Sequence, residues 1–190
     1  MPSPAGLLLT PGAGAGRDHH TLVAVEQALA PLPTERLDFP YRLAGKRVPD
    51  RAPVAVAHLR HESARFAADL GTDNGSLLLG GRSYGGRMCS MAVAEGVPAA
   101  GLVLLSYPLH PPARPDNLRV EHFERITVPV LFVSGDADPF ATPQELAEHT
   151  TAIPAPVTHV TLPGAHDIRG GDAEVAAAVA AWVQTLAHTE

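Results

Sequence analysis

The chain has one cysteine, Cys89, in 190 residues, so an intrachain disulfide is excluded. A basic run is also missing, and 14 basic against 20 acidic residues leave a formal charge of −6. A surface of that sign repels a phosphate backbone, which argues against nucleic acid as the main partner. Long apolar runs are absent too. The longest, at 102–105 and 175–183, fall far short of the roughly 20 residues a membrane-spanning helix needs. Met1-Pro2-Ser3-Pro4-Ala5-Gly6 offers no basic segment followed by a long apolar one, so no secretory signal is read and a cytoplasmic protein with no membrane partner is expected. Internal repeats and long linkers are lacking, which points to one domain over 1–190.

What is present suits a self-sufficient core. Hydrophobic residues make up 45 % of the chain and charged ones 18 %. A compact fold of this length removes roughly 70 % of the unfolded surface from water, so stability requires no structural metal. Seventeen Gly and nineteen Pro punctuate separate apolar runs and never form a low-complexity block. Those runs predict strands at 6–10, 36–39, 76–80, 101–106, 129–134 and 157–162. Helical patterns alternate with them at 18–30, 52–70, 85–95, 120–126, 143–152 and 172–187. Alternation of this kind predicts an α/β protein whose mostly parallel sheet is covered by helices on both faces. Thr142 before Pro143, and Asp172, are candidate helix caps.

The most informative segment is Leu77-Leu78-Leu79-Gly80-Gly81-Arg82-Ser83-Tyr84-Gly85-Gly86. It passes from an apolar strand through Gly81-x-Ser83-x-Gly85 into a helix, the context a nucleophile elbow requires. The glycines let strand and helix approach closely while Ser83 Oγ projects beyond the sheet at a helix N-terminus. A serine nucleophile needs a base and an orienting acid, expected at later strand ends in the order Asp, then His. Gly135-Asp136-Ala137-Asp138-Pro139 follows the fifth strand, and Pro163-Gly164-Ala165-His166 follows the sixth. His166 is therefore the candidate base. Two aspartates compete for the orienting role: Asp138 is preferred because its spacing carries it beyond the strand, while Asp136 suits a brace in the turn.

Charge developing on an attacked carbonyl needs donors. Pro11-Gly12-Ala13-Gly14-Ala15-Gly16 follows the first strand, and the backbone N–H groups of Ala13 and Tyr84 are the candidate oxyanion hole. The same loop invites a dinucleotide-binding reading, with Asp38 at a distance suited to a ribose. That pattern fails where it demands glycine or alanine, since Arg17 stands there.

With these residues the chain resembles the α/β-hydrolase superfamily, and within it the small dienelactone-hydrolase-like group that includes KANL/Tex-type proteins. The resemblance rests on the Gly12–Gly16 loop, Gly80-Gly81-Arg82-Ser83-Tyr84-Gly85-Gly86-Arg87, Ser106-Tyr107-Pro108-Leu109-His110, Val130-Leu131-Phe132-Val133-Ser134-Gly135-x-Ala137-Asp138 and Ala165-His166. It implies a three-layer fold in strand order 2-1-3-4-5-6, lacking the family's first two strands and a cap domain. It further implies a Ser83, Asp138, His166 triad that hydrolyses an ester, thioester or related acyl bond of a small molecule without cofactor. Two features depart from relatives. Thr10-Pro11 stands where a His often precedes the loop glycine, and serine replaces the cysteine nucleophile of dienelactone hydrolases proper, so their substrate does not transfer.

The short 107–117 stretch is expected to wall the pocket, making Gly12, Tyr107 and His110 candidate substrate contacts; core packing for Tyr107 and solvent exposure for His110 are the alternatives. Arg82 and Arg87 either pair with local acids or bind an anionic substrate group. His58 with His61, and adjacent His19 with His20, lack a patterned Cys or carboxylate set, which favours surface placement over a metal site. Cys89 is expected to pack against the sheet. The reading is a serine hydrolase; its rival is a hydrolase-fold interaction module whose triad is idle.

Overall fold

The structure is a computed structural model and describes residues 3–187. Six strands form one sheet: β1 (Gly6–Thr10), β2 (Thr34–Arg36), β3 (Leu77–Arg82), β4 (Gly101–Leu105), β5 (Val130–Gly135) and β6 (Val157–Leu162). All pairings are parallel, in the order β2-β1-β3-β4-β5-β6. Helices α1 (His20–Leu29), α2 (Pro40–Leu43), α3 (Ala52–Asp69), α4 (Tyr84–Ala94), α5 (Pro143–His149) and α6 (Asp172–Ala187) complete the fold.

The central strands are apolar on both faces because both are covered. Leu8, Leu77, Leu79, Leu102, Leu104, Val130 and Phe132 pack with α3, α4 and α5. The alternating residues Leu7, Leu9, Leu78, Val103, Leu105, Leu131 and Val133 pack with α1 and α6. Side chains of a strand point to opposite faces in turn, so one continuous Leu/Val run feeds two cores. The edge strand β6 is half-covered, and Thr158, His159 and Thr161 are exposed. The sheet reverses its winding at β1 and β3, placing the exits of those strands at the crevice where ligands of open α/β sheets bind.

Several boundaries differ from the sequence-based expectation. Strand β2 lies at Thr34–Arg36, earlier than 36–39, because Pro40 starts α2 with Phe39 as its N-cap. The helix expected at 120–126 is only a 3-10 turn at Phe123–Arg125. Its buried Phe123 and Ile126 are three residues apart, a spacing one 3-10 turn satisfies. Helix α5 is capped as expected, by Thr142 with Glu145 in a reciprocal capping box. The Asp172 carboxylate instead accepts from Thr21 Oγ1 and His20 Nδ1, tying α6 to α1.

Beside the 3-10 turn, buried His122 makes a 2.8 Å hydrogen bond with Ser90 Oγ. Burial, then the charges of Arg87 and Arg125, push its pKa from 6.5 down to about 4. The unfolded chain binds this proton more readily than the folded one, so the contribution is complete above pH 6.5 and is lost as pH falls towards 4. Denaturant titrations across that window should show stability falling with acid, and less steeply in His122→Asn.

Candidate active site

The turn between β3 and α4 places Ser83 at φ 50°, ψ −117°. This conformation is costly for any residue with a Cβ, at about 1–3 kcal/mol. The neighbouring glycines explain how the turn is nevertheless tight. A Cβ on Gly85 would lie 2.7 Å from the Thr10 carbonyl oxygen, and one on Gly86 2.6 Å from that of Gly81. Strand β1 is thereby pressed against the start of α4. Gly85→Ala should destabilise the protein by at least the roughly 1–3 kcal/mol of an overpacked core, because backbone cannot yield as a side-chain tip would; thermal unfolding measures it.

Two further loops meet this turn. Exits of β5 and β6 are knitted together, with Asp136 N donating to Leu162 O at 2.8 Å and Ala137 N to Gly164 O at 2.9 Å. A Cβ on Gly135 would fall 2.5 Å from the Ala165 carbonyl oxygen, so only glycine admits this contact. The pairing sets His166 over Asp138. His166 Nδ1 lies 2.8 Å from Asp138 Oδ2 and 3.0 Å from Oδ1, and His166 Nε2 lies 2.8 Å from Ser83 Oγ. A carboxylate only accepts, so Nδ1 carries the proton and the Nε2 lone pair faces the serine hydroxyl. Asp138 is 2 % exposed, and its Oδ1 also accepts from Phe140 N at 2.9 Å. Asp136 faces elsewhere, accepting from Gly164 N at 2.9 Å, as a brace between the two loops.

The glycine loop after β1 lies alongside. A Cβ on Gly12 would stand 3.5 Å from Ser83 Cβ, which places this loop against the nucleophile candidate. Tyr41 Oη donates to Ala13 O at 2.8 Å, fixing the peptide that follows Ala13. Among the described residues no acceptor takes the N–H of Ala13 or of Tyr84. Asp38, the residue a dinucleotide reading would need, accepts from Arg17 N at 2.8 Å.

Other expectations are corrected. Tyr107 is fully buried, packs on Phe123 and Phe132 and donates its hydroxyl to Arg119 O at 2.8 Å. It is a core residue. His110 is not exposed: it is buried, its Nδ1 donating to Pro111 O at 3.0 Å and its Nε2 facing Glu145 Oε1 at 3.4 Å. One depression of about 440 Å³ lies beside His166, lined by Pro139, Gly164, Ala165, His166, Asp167 and Arg169. Cys89 packs beneath the site as expected, and burial pushes its thiol pKa up to about 12.

Arg82 pairs with an acid, one of the two roles expected of it, whereas Phe140 and Tyr41 escape the sequence reading. Arg82 Nη2 donates to His166 O at 3.0 Å and to Asp167 Oδ1 at 3.1 Å, joining the serine turn to the histidine loop. Arg87 Nε is buried without a hydrogen-bond partner among the described residues. Phe140 packs on the His166 ring at 4.1 Å between centroids. Tyr41 acts through Ala13. The Asp138-Pro139-Phe140 sequence could have suggested an aspartate-capped turn; nothing local marks Tyr41.

Comparison with known proteins places the family and the fold. Residues 3–186 match the family described as Alpha/beta hydrolase domain. Among solved structures, one described as a hydrolase of the alpha/beta superfamily from Xanthomonas campestris superposes with a TM-score of 0.71 at 19 % identity, covering 95 % of this chain and 99 % of that one. Est1E from Butyrivibrio proteoclasticus gives 0.75 at 20 %, covering 97 % and 89 %, and ferulic acid is bound in another structure of it. The RedJ thioesterase of the prodiginine biosynthetic pathway in Streptomyces coelicolor gives 0.66 at 18 %, covering 97 % and 86 %. No helix among the described residues is long and apolar enough to cross a membrane.

Proposed function

Because the chain belongs to the α/β-hydrolase family, we propose that it is a serine hydrolase cleaving esters or thioesters of small molecules. The observation carrying this reading is the unbroken hydrogen-bonded series from Asp138 through His166 to Ser83. Ser83 Oγ attacks the acyl carbon as His166 Nε2 takes its proton. Asp138 keeps the ring in the tautomer that can accept, and stabilises the imidazolium. The carbonyl oxygen, now an anion, is held by the N–H groups of Ala13 and Tyr84, with the start of α4 adding its positive dipole end. His166 then protonates the leaving alcohol or thiol, the acyl group stays on Ser83, and water repeats the sequence to release the acid.

Substrate class follows from access. No inserted domain covers the strand ends among the described residues, since 106–129 contains only one 3-10 turn. The open depression beside His166 suits compact substrates with varied leaving groups. A bound ferulic acid in one neighbour and thioesterase identity in another support an acyl substrate. Hydrolysis of short p-nitrophenyl esters and acyl thioesters, followed spectrophotometrically, tests the proposal. Saturable turnover that disappears in Ser83→Ala is expected; folded protein inert on both series would overturn it.

A further inference from the structure

Outside the Ser83 series, His19, His20 and Asp167 bring three ligand atoms within 4.8 Å of one another. They come from separate parts of the chain: the two histidines open α1, and Asp167 follows His166. We propose that this cluster is a binding site for a borderline divalent cation, with Zn²⁺ the best match. Two imidazoles and one carboxylate form a nitrogen-rich set that prefers such ions over Mg²⁺ or Ca²⁺, leaving a fourth position for water.

Existing contacts prepare His20, while His19 Nδ1 accepts from Thr21 N at 3.3 Å, a long bond that a metal on that ring displaces. His20 Nδ1 donates to Asp172 Oδ2 at 2.6 Å, so its Nε2 is left for the metal; a carboxylate behind a ligating imidazole is the usual means of orienting one. The Asp172 carboxylate is itself held by Thr21 Oγ1 at 2.6 Å. The His19 and His20 rings stand 4.2 Å apart between centroids. Asp167 gives Oδ1 to Arg82, while among the described residues Oδ2 has only Arg169 Nε, 4.0 Å away on an exposed side chain. Zinc bonds of about 2.0–2.1 Å require these atoms to close together, and the exposed His20 side chain provides most of that freedom, Asp167 being half-buried.

Occupancy has a consequence that rests on the hydrolase reading. Arg82 lies next to Ser83 and holds the His166 carbonyl, so a cation on Asp167 Oδ2 withdraws charge from the carboxylate, weakens its ion pair with Arg82 and loosens the link between the serine turn and the histidine loop. Zn²⁺ then slows hydrolysis.

Isothermal titration of the full chain with Zn²⁺, and visible absorption after Co²⁺ loading, test the site without relying on activity. One saturable Zn²⁺ per chain and a tetrahedral-type Co²⁺ spectrum are expected. Both should be lost in His20→Ala and in His19→Ala with His20→Ala, whose folding circular dichroism checks. Asp172→Asn should weaken affinity by about 10–100-fold, the usual cost of losing such a support. Absence of saturable binding to the native chain, or binding unchanged in the double variant, would overturn the site. An inactive chain that still binds one Zn²⁺ would refute the hydrolase reading and leave the site standing.

Discussion

Ser83→Ala is expected to lower kcat by about 10⁶, the scale seen when the nucleophile of a comparable triad is removed, with the fold intact. The reason for this separation is local. The hydroxyl makes one hydrogen bond, to His166 Nε2, while the backbone at φ 50° is imposed by the glycines that press α4 against β1. Alanine keeps the same Cβ and inherits the same strain, so its melting temperature should stay close to that of the native chain. Glycine relieves the strain: Ser83→Gly should be equally inactive yet more stable, by about 1 kcal/mol, or roughly 2–4 °C for a domain of this size. Paired kinetics and calorimetry on the two variants check both halves.

Asp138→Asn should cost about 10⁴ in kcat by analogy with other triads. The buried carboxylate accepts from His166 Nδ1 through both oxygens. An amide there presents a donor as well, which favours the imidazole tautomer with Nδ1 as acceptor and places the remaining proton on Nε2, against the serine. Asp136→Asn should cost a small fraction of this, since an amide oxygen still accepts from Gly164 N. Measuring kcat for both variants on one ester gives the ranking; a larger loss at Asp136 would reverse the assignment.

Much of this arrangement was legible in the chain. Ser83, Asp138 and His166 are each announced by a strand end and a glycine, the six strands by apolar runs separated by helical patterns, and their order in the sheet by the family resemblance. Glycine spacing marks close backbone approach, a requirement that acts over a few residues. What the sequence hid depends on contacts between distant segments. Tyr107 stands beside a strand exit yet turns into the core, because Phe123 and Phe132 offer it an apolar bed and Arg119 a carbonyl. The role of Asp167 shows only when Arg82, 85 positions away, reaches it. Likewise His19 and His20 look like a surface pair until the β6 exit brings that carboxylate to them. The short helix at 120–126 failed for another reason: a stretch with two buried apolar anchors does not tell an α-turn from a 3-10 turn.

The central claim is that Ser83 is a nucleophile activated by His166. Incubating the folded chain with a fluorophosphonate and mapping the adduct by peptide mass spectrometry tests it most directly, because the reagent phosphonylates an activated serine regardless of natural substrate. The account predicts one adduct, on Ser83, absent in Ser83→Ala and strongly slowed in His166→Ala. Well-folded protein carrying no adduct, or labelled equally fast without His166, would contradict it.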